Sequence, residues 1–364
     1  MTHLAVALDG AGWHPAAWRE ADARPAELFT ARYWTDLVLE AQRGLLDLVT
    51  FEDSFGLQSG GRTDRVAGRL DANLIAAAVA PRTSGIGLVP TVIATHTEPF
   101  HISKAIATLD YASTGRAGVR VRIAASGAEQ VGRRPDLPVE DLLAEAADYV
   151  EVVRRLWDSW EDDAEIRDAA TGRFVDRDKL HYIDFEGRWF SVKGPSITPR
   201  PPQGQPLVFA LAHAAPVYRF AEQAADVVFV TPRDADDAAA IVGQISGLPH
   251  VFGELTVFLD ESAGAAADRL ARLDDLAGEP FTSDAAVFTG TPAELADFLL
   301  SWQATGLTGF RLRPGALPHD LTAITRGLVP ELQARGEFRR GYDSGTLRDR
   351  LGLARPANRY AGVS

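Results

Sequence analysis

The chain has no cysteine and a single methionine among its 364 residues. Disulfides, thiolate-held metals and a cysteine nucleophile are therefore excluded. Positive charge is also in short supply: 37 Lys and Arg face 50 Asp and Glu, a net charge of −13. That balance opposes adhesion to nucleic acid or to an anionic membrane surface. No apolar run approaches the roughly 18 residues that span a bilayer, and the opening MTHLAVALDG lacks the basic segment of a secretion signal. These features lead to the expectation of a cytoplasmic chain that acts on small molecules, with neither nucleic acid nor membrane as partner. The first glycine-rich stretch, DGAGWHP, is not a G-x-G-x-x-G opening a helix, so dinucleotide binding by that route is disfavoured. His96 and His101 are five residues apart, off a common helical face and without a third ligand nearby, so no metal site is expected. The acidic run EDDAEIRD reads as a solvated surface and not as a metal cage.

What is present is a rhythm. Short β-branched runs alternate with longer Ala-, Leu- and Glu-rich segments, as in parallel strands joined by crossover helices. Strands are expected at residues 4–8, 48–51, 86–92, 119–123, 207–211, 227–230, 255–259 and 310–312. Helices are expected over residues 33–43, capped by Gly44, through 74–79, over 100–111 and over 141–160. Eight such units close most economically as a TIM (β/α)8 barrel, whose active site lies at the carboxyl ends of the strands. An open doubly wound sheet is the alternative. The α/β chain is expected to form one domain over residues 1–364, with an insertion after the fourth helix at about 161–206 and a C-terminal extension at about 329–364.

Several long segments carry a resemblance: GAGWHPAAWR, LDLVTFED, GLVPTVIATHTEPFHISKAIATLDYASTGRAG, LWDSWEDDA, PQGQP and the tail VPELQARGEFRRGYDSGTLRDRLGL. In their order along nearly the whole chain they resemble the bacterial luciferase-like flavin-dependent monooxygenases, in the branch that holds nitrilotriacetate and dibenzothiophene-sulfone monooxygenases. The resemblance implies a TIM barrel and a homo-oligomer. It also implies reduced FMN supplied by a separate flavin reductase, with molecular oxygen as co-substrate and a small organic molecule as substrate. Two other readings stay open: a flavin-free, degenerate partner subunit or flavin-independent enzyme, and a deazaflavin-dependent oxidoreductase. The long helix at residues 141–160 suggests apolar area beyond what one chain needs, in keeping with self-association.

The resemblance also selects site residues. Asp53, at the end of the second strand, matches an acidic residue near the flavin ring, and its other reading is a helix or loop cap. Thr91 and Thr95 flank the end of the third strand, where hydroxyls could bond flavin carbonyls or satisfy loop backbone. Arg120 and Arg122 stand i, i+2 on the fourth strand, where the family has uncharged residues. Both point the same way: inward to hold an anion at the pocket, or outward onto a covering helix. Arg133 and Arg134 follow in the next loop. Three polar contacts expected from the family pattern are lost. Leu142 and Leu143 stand where an Arg-Tyr pair on the flavin phosphate is expected, and Ala214 stands where a Ser is expected.

Overall fold

The computed structural model describes all residues except 58–59, 125, 132–136, 344 and 363–364. Eight parallel strands close on themselves. They are β1 (His3–Leu8), β2 (Leu48–Phe51), β3 (Gly87–Ile93), β4 (Gly118–Arg122), β5 (Leu207–Ala212), β6 (Val227–Val230), β7 (His250–Leu259) and β8 (Gly309–Pro314). Each pairs with its neighbour in sequence, and β8 pairs with both β7 and β1, so no barrel edge is left open. The crossover helices include α1 (Ala31–Arg43), α2 (Ala72–Val79), α3 (Pro99–Ser113), α4 (Val139–Asp158) and α5 (Ala215–Ala224). Gly44 is the C-cap of α1, as expected.

One strand of the barrel sheet was not expected. Ala286–Gly290 pairs with the outer half of β7, whose inner half pairs with β6, so the wall forks there. This places Asp284, just before the extra strand, over the barrel mouth. Between α4 and β5 lie two short antiparallel hairpins, Glu165–Asp168 with Arg173–Val175 and Phe185–Glu186 with Ser191–Val192. The acidic run there is ion-paired and not simply solvated: Asp162 meets Arg200 and Arg355, and Asp163 meets Lys179. Most of the apolar face of α4 is covered within the chain, with Leu142, Tyr149, Val153, Leu156 and Trp157 all buried. Of its large apolar residues only Val139, in the first turn, stands exposed, so this helix offers little spare apolar area for a second copy.

The period-2 alternation of strand side chains stacks the barrel interior in layers. The layer nearest the amino ends of the strands is apolar: Leu48, Val89, Phe209, Phe229 and Phe252 pack together, and Leu347 and Leu351 of the C-terminal tail close it from below. Gly118 and Gly309 belong here because an added Cβ would sit 2.8 Å from the rings of Phe209 and Phe252 respectively. Two residues further along the same strands come Thr50, Thr91, Arg120, Glu254 and Arg311, all buried. The barrel therefore changes from hydrocarbon to charge within one layer. Above that layer lies a cavity.

Candidate active site

The cavity has a volume of about 790 Å³ and opens at the carboxyl ends of the strands. This is within the size range of small-molecule and cofactor pockets. Its floor is a ladder of alternating charge. Arg120 Nη1 donates to both carboxylate oxygens of Glu52 at 2.7 Å and to Thr91 Oγ1 at 3.2 Å. Glu52 also pairs with Arg311, which reaches Glu254 on its other side and donates to Thr50 Oγ1 at 2.9 Å through Nε. Arg313 then links Glu254 to Asp284. Three arginines are thus matched by three carboxylates across strands β2, β4, β7 and β8. At the rim, Arg69 forks onto both oxygens of Asp9 at 2.8 Å and donates to Ser54 Oγ at 2.8 Å.

Burial alone would raise the Glu52 carboxyl, but Arg120 and Arg311 overcome it and hold it well below the ordinary carboxylate range. Glu254 behaves likewise: burial opposes ionisation, and Arg311 and Arg313 outweigh it. Asp9 goes the other way, because its burial exceeds the pull of Arg69 and raises its proton affinity.

Arg122 stands apart. It lines the cavity, its Nη1 donates to the Asp53 carbonyl at 2.8 Å, and no described carboxylate forms an ion pair with it. The register explains both arginines. Arg120 lies opposite Thr91 and Phe209, whose side chains face the barrel axis, so Arg122 two residues on faces inward as well.

The structure brings Arg120 and Arg122 to the cavity but gives the other expected residues different work. The Asp53 carboxylate accepts from Ser54 N at 2.8 Å and Ala72 N at 3.1 Å, so it ties the loop after β2 to the start of α2. Its neighbours Glu52 and Ser54 line the cavity instead. Thr91 reaches the site only through Arg120. Thr95 is fully buried and accepts from Ala124 N at 3.0 Å, clasping the ends of β3 and β4. Arg133 and Arg134 lie outside the described residues. His96 is buried and His101 is exposed on α3, and among the described residues no group of three or more His, Asp or Glu could hold a metal.

The flank opposite the ladder is apolar, with Val139, Leu143, Leu211, Val217 and Phe220 lining it. Sequence reasoning missed Glu52, Glu254, Arg311 and Arg313. The signal was available: FRLRP carries the same i, i+2 arginine pair as VRVRI, and Glu254 interrupts an otherwise apolar strand. His213 also lines the cavity, with Nδ1 2.8 Å from Thr231 Oγ1 and Nε2 3.6 Å from Asp284.

The family described as luciferase-like monooxygenase matches residues 11–248. The chain belongs to that family. It is 31% identical over 432 residues to N-acetyl-S-(2-succino)cysteine monooxygenase of Bacillus subtilis (strain 168), covering 98% of each chain. It is 29% identical over 437 residues to nitrilotriacetate monooxygenase component A of Aminobacter aminovorans, covering 97% of this chain and 96% of that one. Dibenzothiophene-sulfone monooxygenase of Rhodococcus erythropolis is 28% identical over 424 residues, covering 93% of each. These aligned spans exceed the 364 residues of this chain, so the relatives carry segments that it lacks. Among solved structures, DmoA from Hyphomicrobium sulfonivorans superposes with a TM-score of 0.88 at 24% identity, covering 99% of this chain and 97% of that one, and shows the same fold.

Proposed function

We propose that this family member takes up reduced FMN in the carboxyl-end cavity and inserts one atom of molecular oxygen into a small organic substrate, the flavin being supplied by a separate reductase. The observation that carries the reading is a flavin-sized cavity in which, among the described residues, Arg122 is the one lining arginine without an ion-paired carboxylate. A reduced flavin ring is anionic, and in a partly dry site an unmatched guanidinium is a matched partner for it. Bound there, the reduced flavin supplies the electrons that activate oxygen. The protein's part is to orient it. Arg122 offers the charged contact, the ladder fixes Arg120 and Arg311 so that neither reorganises on binding, and the apolar flank keeps water from the reacting centre.

The fit is uneven along the ligand. Leu143 lines the apolar flank and Leu142 is buried away from the cavity lining, so neither offers a phosphate contact, and Ala214 offers no hydroxyl. That observation favours a second reading, a flavin-free partner subunit built on the same barrel. Anaerobic titration with reduced and with oxidised FMN separates the two. Saturable binding of reduced FMN at micromolar levels, tighter than that of the oxidised form, supports the monooxygenase. Absence of binding by either form supports the flavin-free subunit. The family resemblance further supports self-association in the cytoplasm, and sedimentation at micromolar concentration tests it against a monomer mass of 39.2 kDa.

A further inference from the structure

The amino-terminal end of the barrel has a cavity of its own, about 420 Å³, bounded by the last turns of α4, the lead-ins to β5 and β6, and the C-terminal tail. We propose that it binds a small phosphomonoester, with the phosphate held by Arg154 and Arg359 and with Arg348 adding its charge from behind Asp226.

The case rests on charge placement. Asp226, just before β6, is shared by two arginines: Arg154 Nη2 lies 2.8 Å from Oδ2 and Arg348 Nη2 lies 3.2 Å from Oδ1. One carboxylate cannot neutralise two guanidiniums, so this cluster keeps a surplus cation. The second cluster repeats the pattern. Arg359 meets Glu151 at 3.0 Å and Asp158 at 3.5 Å. Those carboxylates and Asp162 are shared with Arg155, Arg200 and Arg355, so four arginines face three carboxylates among the described residues. Both surpluses border one cavity, in a chain whose net charge is −13.

Depth decides which sign a ligand meets. The Asp158 side chain is 4% exposed and that of Arg348 8%, whereas those of Arg154, Arg359 and Asp226 are 19%, 34% and 16% exposed, so the opening presents two cations beside one carboxylate that two arginines already share. Arg154 spends only Nη2 on protein partners, leaving Nε and Nη1 unassigned among the described bonds, and Arg359 likewise leaves Nη2. Single free donors on two arginines, rather than one open fork, can each reach an oxygen of a phosphate, and two like charges held together by one carboxylate gain from a second anion. A phosphate alone would leave much of this volume empty. Pro356 and Ala357 on the tail form the wall against which the organic part of an ester would lie.

The test uses the full chain, with inorganic phosphate and glycerol 3-phosphate as probes and potassium chloride at matched ionic strength as control. Calorimetric titration and melting are both read. Glycerol 3-phosphate is expected to bind and to raise Tm, with inorganic phosphate binding several-fold more weakly. Arg359→Gln and Ala357→Glu should each weaken binding about tenfold or more. Ala357 is exposed, so the second variant should fold and still close the site by adding a carboxylate. Arg122→Ala, at the other end of the barrel, should leave this binding unchanged. The proposal fails if neither probe binds beyond the chloride control, if binding survives both variants, or if Arg122→Ala removes it. Equal affinities for the two probes would overturn the assignment to an ester.

Discussion

The two ends of this barrel use the same pair of chemistries, guanidinium and carboxylate, to opposite effect. At the carboxyl end the arginines and Glu254 sit on strands, Glu52 follows β2 directly, and every side chain of the ladder but that of Asp284 is buried. The charges alternate, so that each arginine of the ladder finds its acid and, among the described residues, the surplus narrows to Arg122. At the amino end they sit on α4, on loops and on the tail, are partly wet, and cations share too few acids. Strand positions two residues apart fix distance and direction and so permit a matched ladder, which loops and helix ends do not impose. A preorganised floor suits chemistry on a bound ligand. A looser cationic rim suits binding alone.

The largest expected effect comes from breaking the ladder. Arg311 is 0% exposed and stands between two buried glutamates, so Arg311→Ala should cost about 3–5 kcal/mol in denaturant unfolding because Glu52 and Glu254 lose their shared partner. A loss below 1 kcal/mol would show that the ladder is not the tightly coupled unit described.

A pH-dependent contribution follows at the amino end. Asp110 accepts from Gln203 Nε2 at 2.6 Å and from Gln203 N at 3.0 Å, anchoring the lead-in to β5, yet burial lifts its pKa to about 6. A carboxyl that holds its proton more tightly when folded favours the fold at low pH, and this stability is lost as pH rises from about 4 through 6. The stability difference between the wild type and Asp110→Asn should therefore shift against the wild type over that window, by up to about 3 kcal/mol. A difference that stays flat with pH would contradict the burial argument.

Smaller effects sharpen the contrast between side chains that line the cavity and those that support it. Asp53→Ala should lower stability by about 1 kcal/mol, since it removes acceptors for two backbone amides. Affinity for reduced FMN should change less than about twofold, because the Asp53 carbonyl that meets Arg122 remains. A large loss of affinity with unchanged stability would return Asp53 to the ring. Arg359→Ala, on the exposed tail, should shift stability by less than about 1 kcal/mol.

Much of the fold was legible because each barrel strand is a short apolar run closed by turn residues. β2 and β6 match their expected bounds, residues 48–51 and 227–230, and most of the others differ by a residue or two. β7 was read as starting at residue 255, whereas it begins at His250. That error hid Glu254, which a propensity reading takes as a break in the strand and the register places in the charged layer. Ala286–Gly290 was missed because a five-residue strand beside the outer half of β7 needs a fork in the wall that local pattern does not announce. Asp53 shows the limit of motif transfer. The position was right to within one residue of the lining, but which way a carboxylate turns at a strand end depends on the amides offered by α2, a tertiary fact. Arg120 and Arg122 were legible because alternation fixed their common direction, and only the neighbouring strands could show that Glu52 takes one and leaves the other.

The most direct test of the account is the ratio of affinities for reduced and oxidised FMN, measured anaerobically in the wild type and in Arg122→Gln. If Arg122 is the unmatched cation that meets the anionic reduced ring, the wild type should favour the reduced form, and the variant should lose about tenfold of that preference while Tm changes little. An unchanged ratio in the variant, with FMN still bound, would contradict the claim that the charge left over on the cavity floor selects the flavin's redox state.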